Sequence, residues 1–445
     1  MKKLHLYIYL LILFVSNGNF AQTNTPDWAY NATIYEVNIR QFTEEGTFKA
    51  FSEHLPRLKN LGVDILWLMP IHPIGELNRK GTLGSYYSVK DYKDVNPEYG
   101  TMDEFKELVN EIHSLGMYVI IDWVANHTAW DNIWVDKFPE FFTRDESGNF
   151  IPPVDDWHDV IDLNFDNKEL WDKMADALKF WIKECNIDGY RCDVAGMVPV
   201  EFWNFVRPQL EEIKPVFMLA EWDTPEMHYA AFDMTYDWEL HKIMNRIYSK
   251  ENNVNNLADH IEQDRNKYPG YAIRMQFTDN HDENTWNGTV FERLGDAVET
   301  FAVLTYTLPG MPLIYSGQEA GNDKRLEFFE KDPIEWKDHT LFELYKQLNI
   351  LRKNNPALWS GLKGGSYKVI PNNNPESVFT FLRENESNTI FSIFNLSDQS
   401  IEIELLNESA DGDYREFFTG KLFEVAALAK SIRLKPWEYR VYIKI

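Results

Sequence analysis

Four short polar clusters close apolar runs along the chain: Asp-Trp-Val-Ala-Asn-His at 122–127, Gly-Tyr-Arg-Cys-Asp at 189–193, Ala-Glu-Trp at 220–222 and Thr-Asp-Asn-His-Asp at 278–282. Each alone has a bland reading. An Asp after a strand often caps a helix, a His is commonly a satisfied polar group, and Arg191 could simply neutralise Asp193. Together they bring Asp193, Glu221, Asp282, His127, His281 and Arg191 toward one place, and unpaired buried acids are too unfavourable to gather without a use. Two carboxyls facing each other across an acetal carbon, ~5–5.5 Å apart, perform retaining glycosidic cleavage. One attacks as nucleophile and stays ionised. Arg191, two residues away on the same strand face, is expected to lower the pKa of Asp193 and fit it for that part. The other must hold a proton as general acid, a part that suits Glu221 beside Trp222 and two further acids. Asp282 is left to hold sugar hydroxyls and stabilise a positive ring, with His127 and His281 as hydrogen-bonding partners of those hydroxyls.

The elements that must position these groups follow from periodicity. Eight strands are expected at Thr33–Asn38, Asp64–Ile71, Tyr118–Val124, Asp188–Asp193, Val216–Trp222, Phe232–Tyr236, Ile273–Asp279 and Pro312–Ser316. Several are nearly continuous apolar runs, as strands buried on both faces should be. Helical patterns lie between them: Thr101-Met102-Asp103-Glu104 reads as a capping box, and Phe105, Leu108, Val109, Ile112 and Leu115 form one face before Gly116. Leu170, Met174, Leu178, Trp181 and Ile182 repeat that pattern before Asn186. Eight strand–helix units predict an α/β chain folded as a (β/α)8 TIM barrel over about 25–360, with catalytic groups at the C-terminal strand ends. A doubly wound sheet is disfavoured, since no glycine-rich phosphate loop follows the first strand. The excursion at about 127–165, after the third strand, is too long for a plain connection and reads as a small inserted domain. From 365 to 445, short alternating runs split by Asn, Gly and Asp turns predict an antiparallel β-sandwich.

Composition narrows the partners. The 445 residues hold 44 Lys and Arg against 70 Asp and Glu, a formal charge of −26. That excludes a general phosphate-backbone binder and disfavours anionic membranes, so no nucleic acid partner is expected. Aromatics make up 15% of the chain, including 15 Trp and 22 Tyr, which suits a neutral, flat-faced ligand such as a sugar as well as a large core. Lys2 and Lys3, an apolar run from Leu6 to Val15 and a small residue at Ala21 read as a secretory leader over 1–21. The run is too short to span a bilayer, so export to periplasm or medium is expected, with cleavage near Ala21 and no membrane insertion. The two cysteines, Cys185 and Cys192, are expected as free buried thiols. Oligomeric state is not legible.

The four clusters, in this order and spacing, identify the chain as resembling the α-amylase family of retaining α-glucan-active enzymes, over about Thr25 to Ile445. The resemblance implies a catalytic barrel, a B domain after the third strand and a C-terminal β-sandwich. It also implies Asp193 as nucleophile, Glu221 as acid/base and Asp282 as transition-state stabiliser. His127, Arg191 and His281 match the family's sugar-binding positions. The stretch Gly84–Tyr92 is similar to the family's segment after the second strand, placing an aromatic platform at Tyr87 and a further contact at Asp91. Trp130, Trp134, Trp157 and Trp222 are candidates to line leaving-group subsites, and Gln318-Glu319 and Asn322–Arg325 to reach substrate from beyond the eighth strand.

The substrate so implied is starch, glycogen or a maltooligosaccharide, with α-1,4 bonds expected. An exo-acting α-glucosidase or a transglycosylase on the same scaffold is the alternative. A non-catalytic glucan-binding protein would be expected to have lost a carboxylate, and all three stand. Many members hold a structural Ca²⁺ through an Asn at the Asn126 position, with B-domain acids such as Asp155, Asp156 or Asp159. Here Val194-Ala195-Gly196-Met197-Val198 follows Asp193 without the family's Lys-His pair, so an expected calcium ligand is lost; no cofactor is required, and Ca²⁺ at Asn126 stays open as the alternative. A barrel starting near residue 30 leaves no room for the N-terminal β-domain of debranching and cyclodextrin-cleaving relatives.

Overall fold

The computed structural model describes residues 25–425 and 431–445. The expected leader at 1–21 lies outside them. Eight parallel strands close into a barrel: β1 (Ile34–Val37), β2 (Ile65–Leu68), β3 (Tyr118–Trp123), β4 (Gly189–Cys192), β5 (Phe217–Ala220), β6 (Met234–Tyr236), β7 (Ile273–Gln276) and β8 (Met311–Tyr315). Every run read from the sequence is present. The strands are shorter than those runs because the polar residues at their ends leave the ladder and form the rim.

Side-chain alternation in these strands builds the interior in two layers. Ile34, Ile65, Trp67, Ile120, Phe217, Leu219, Met234, Tyr236, Ile273, Met275 and Leu313 pack into one apolar plug inside the barrel. Two residues further along, the same faces carry Glu36 after Ile34, Asp122 after Ile120, and Glu221 after Leu219. The closed barrel therefore delivers its charges to one end above a dry floor. Register fixes the neighbours: Asp122 on β3 lies opposite Arg191 on β4, and Glu36 on β1 opposite Trp67 on β2.

The surrounding helices begin and end where their caps dictate. Thr101 and Glu104 form a reciprocal capping box at the start of the helix Met102–Ser114. Asn167 caps Lys168–Cys185, and Asn186 ends that helix at φ 57°, a left-handed position that Asn tolerates. Cys185 and Cys192 are free and buried.

The excursion after β3 returns on itself through a two-stranded ribbon, His127–Ala129 against Val160–Asp162. It carries one short helix, Ile133–Lys137. At the C-terminal end, Ser366–Val369, Val378–Glu384, Thr389–Asn395, Tyr439–Lys444, Gly412–Glu416 and Leu422–Val425 form a six-stranded antiparallel sheet in that spatial order. Alternation sorts its faces: Phe379 and Phe381 pack with the barrel's outer core, whereas Val378 and Leu382 pack with Ile403 and Leu434 of a second, two-stranded sheet.

Candidate active site

At the C-terminal ends of the barrel strands, a cavity of about 720 Å³ is lined by Tyr87, His127, Asp193, Glu221, His281 and Asp282, together with Trp157, Trp286 and Phe328. That size is typical of a small-ligand pocket. Six of the residues expected from sequence are therefore brought to one cavity.

Arg191 organises the centre. It is fully buried, and its Nη1 donates to Asp122 Oδ1 at 2.8 Å and to Asp193 Oδ1 at 3.0 Å. Its Nη2 lies 2.8 Å from Glu221 Oε2, off the hydrogen-bonding direction, and its Nε reaches the Tyr236 hydroxyl at 3.3 Å. One guanidinium thus serves three carboxylates. Arg191 does pull the pKa of Asp193 down, as expected from the sequence, but other effects outweigh that pull. Burial, followed by repulsion from Glu221, raises it well above the usual carboxylate range against the pull of the shared cation. Asp122, deeper still, is pushed up to about 6 by burial.

Glu221 is positioned from the neighbouring strand end. The main-chain N–H of Val194 donates to Glu221 Oε2 at 2.8 Å. Val194 takes φ 35° and ψ 47° to do so, a left-handed conformation that strains a β-branched residue. The backbone straight after Asp193 is thus bent to hold the second carboxylate.

On the far wall, His281 lies 2.5 Å from Glu36 Oε1 through Nδ1 and 3.4 Å from Asp282 Oδ2 through Nε2. Burial works against its charge, but the Asp282 and Glu36 carboxylates raise its pKa to about 9. As an imidazolium it donates from Nε2 to the Tyr87 hydroxyl at 2.8 Å, and Tyr87 in turn donates to Asp122 Oδ2 at 3.1 Å. Trp67 Nε1 donates to the same oxygen at 3.2 Å. His127 is the opposite case: burial lowers its pKa to about 3, leaving a neutral ring edge-on to Trp157. Asp282 is the open member of the acid set, its side chain 36% exposed.

Several expected positions fall elsewhere. Asp91 is half-buried and accepts the Lys93 N–H in a turn, away from the cavity lining. Trp222 turns from the cavity and lies against Gly196, where a Cβ would meet its ring at 2.0 Å. Trp134 is a core residue whose ring packs at a tilt against Tyr92, and Trp130 donates to the His158 carbonyl; of the four tryptophans, Trp157 alone lines the cavity. Gln318 and Glu319 are buried in structural bonds to Thr278 and to Tyr35 and Arg57. Asn126 is the candidate calcium ligand. Its amide lies 3.4 Å from the His127 ring, and no group of three acidic or His ligand atoms forms around it among the described residues. Asp159 is already paired with Lys80 at 3.0 Å.

Four groups were not singled out from sequence. Glu36 and Asp122 were legible as charges inside otherwise apolar strands. Trp286 and Phe328 carried no such signal. Trp286 sits on a π-helical turn, Glu283–Asn287, directly after Asp282, 53% exposed and with its ring 5.4 Å from Phe328. Widened turns of this kind recur at functional sites.

Comparison with known proteins shows what the chain as a whole is similar to. The sequence model of the α-amylase catalytic domain matches residues 14–150 and 145–339, and that of the maltogenic amylase C-terminal domain matches 367–441. The chain is 26% identical to Alpha-amylase 2 of Dictyoglomus thermophilum, covering 97% of this chain and 79% of that one. Among solved structures, a maltogenic alpha-amylase from Thermotoga neapolitana superposes with a TM-score of 0.86 at 31% identity, covering 93% of this chain and 99% of that one. An alpha-amylase from Lactobacillus plantarum gives 0.84 at 31% identity, again with 93% and 99% coverage.

Proposed function

The chain belongs to the α-amylase family of glycoside hydrolases, and from that premise we propose that it cleaves α-1,4-glucosidic bonds of starch, glycogen or maltooligosaccharides with retention of configuration. Asp193 attacks the anomeric carbon and the leaving oxygen departs with a proton from Glu221. Water, deprotonated by the same Glu221, then breaks the glycosyl–Asp193 ester. Asp282, His281 and Tyr87 hold the hydroxyls of the reacting ring. Arg191 fixes both reacting carboxylates, and His127 supplies a neutral donor and acceptor.

The observation that carries this reading is the sharing of Arg191. Its two terminal nitrogens touch Asp193 at 3.0 Å and Glu221 at 2.8 Å. Groups held by one guanidinium stand close together, which favours the ~5–5.5 Å spacing of retaining enzymes over the ~6.5–9.5 Å of inverting ones. The raised pKa of Asp193 comes first from burial and then from the neighbouring Glu221 carboxylate. A bound sugar passing through a positive transition state supplies the missing positive charge.

The C-terminal match and the Thermotoga neapolitana structure favour maltose as the main product. Digestion of maltoheptaose followed by chromatography tests this: maltose as the dominant early product supports it. Glucose alone would indicate an exo-acting α-glucosidase, and chains longer than seven units a transglycosylase. The leader-like residues 1–21 support a place of action outside the cytoplasm.

A further inference from the structure

On the outer face of β7, a second cavity of about 270 Å³ lies where the barrel meets the C-terminal sheet. Ile273 and Met275 point into the barrel plug, so alternation turns Arg274 and Gln276 outward into this space. The helix Val254–Lys267 contributes Asp264, the connection after the barrel contributes Trp359, and the first two strands of the C-terminal sheet contribute Tyr367 and Arg383. None of these residues lines the catalytic cavity.

The charges here do not balance one against one. Arg274 is used by Asp264 at 3.1 Å, and Asp237 by His260 at 2.9 Å. Arg383 is 1% exposed and has no carboxylate partner among the described residues. Its Nη groups donate only to the carbonyls of Thr307 at 3.2 Å and of Trp359 and Gly365 at 3.4 Å. Its Nε–H has no acceptor, the buried Tyr367 hydroxyl has no partner, and neither has Gln276 Oε1. A guanidinium buried without a counter-anion is strongly unfavourable, and burial with the nearby Arg352 lowers the Arg383 pKa to about 9. The three residues that carry these unfilled atoms, Arg383, Tyr367 and Gln276, line the same small space, together with Asp237 and Asp264.

We propose that this junction binds a small hydroxylated oxyanion, of the chemistry shared by hydrogen phosphate and short hydroxycarboxylates. Its oxygens accept from Arg383 Nε and the Tyr367 hydroxyl, and its own hydroxyl donates to Gln276 Oε1. Because both the barrel and the C-terminal sheet supply its wall, occupancy ties the two together and raises the stability of the whole chain.

Calorimetric titration of the full chain at constant ionic strength tests this, with inorganic phosphate and lactate in separate arms and chloride as the control. Saturable binding of one molecule of phosphate or lactate is expected, accompanied by a rise in melting temperature, and the two arms separate the sources. Arg383→Gln should weaken that binding by about tenfold or more, the loss of a hydrogen bond to a charged group. Tyr367→Phe, which keeps the ring and its packing, should weaken it measurably and remains informative if Arg383→Gln does not fold. Absence of saturable binding in both arms would overturn the proposal. So would unchanged affinity in Tyr367→Phe together with any folded Arg383 variant, or equal binding of chloride.

Discussion

The imidazolium of His281 donates through Nδ1 to the Glu36 carboxylate at 2.5 Å, joining the last polar cluster of the barrel rim to a charge buried in its first strand. The bond fixes the ring so that its other nitrogen faces Tyr87 and Asp282, and it keeps the ring charged.

Activity and stability should both fall on the alkaline side as His281 loses its proton. Its folded pKa of about 9 lies above the ~6.5 of an ordinary histidine. Its contribution to stability is therefore complete below about pH 6.5 and lost as pH rises through about 9. Glu36→Gln removes one of the two carboxylates that raise this pKa, so the alkaline limb of the kcat/KM profile should move to lower pH. An unchanged limb would show that another group sets it.

Asp193→Asn should abolish turnover on maltooligosaccharides while leaving the melting temperature unchanged or higher. The folded state raises the pKa of Asp193, so it disfavours the ionised form. Stability contributed by this group falls as pH rises above the unfolded value of ~3.9, and an uncharged side chain avoids that penalty. Thermal unfolding at pH 7 is the check. A marked fall would mean that the Arg191 contact outweighs burial and repulsion.

Glu221→Gln should lower kcat on maltooligosaccharides by about 10²–10⁴-fold, the usual worth of a general acid. Aryl α-maltosides with acidic leaving groups need no proton for departure, so their first step should be largely spared. Equal loss on both substrates would argue against Glu221 as the acid.

Trp286→Ala should raise KM for longer maltooligosaccharides about three- to tenfold with little change in kcat, the scale of one lost ring-stacking contact. The exposed ring beside Asp282 is placed to stack on a sugar outside the reacting position. An unaltered KM across chain lengths would make Trp286 a bystander.

EDTA should leave the melting temperature unchanged, because Lys80 already neutralises Asp159 and no ligand set gathers at Asn126. Lys80→Ala should lower it by about 2 °C, since it strands a buried carboxylate. A large EDTA effect restored by Ca²⁺ would reverse this reading.

Much of this architecture was legible in the sequence because strands buried on both faces leave continuous apolar runs. Polar groups that close the apolar strand runs also read directly as rim positions: Asp193, Glu221 and Asp282 were visible for that reason. What was not visible depends on neighbours far apart in the chain. Glu36 meets His281 across 245 positions, and Asp122 takes a share of Arg191 only through the β3–β4 register; the net rise of the Asp193 pKa comes from burial and then from Glu221, neither of which a local reading of the strand end shows. The tryptophans show a second limit. Trp134 and Trp157 look alike in sequence, yet one packs against Tyr92 and the other edges His127, a difference set by how the ribbon after β3 folds back. Trp222 follows Glu221 directly, and alternation points consecutive residues at a strand end in opposite directions, so its ring packs against the outer core.

The central claim is that Asp193 and Glu221 work as a close pair with retention, and the anomeric form of the first product tests it most directly. Proton NMR of maltoheptaose hydrolysis, recorded faster than mutarotation, should show new reducing ends appearing as the α-anomer and only later equilibrating. First appearance of the β-anomer would mean that water attacks directly, and would contradict the assignment of Asp193 as nucleophile.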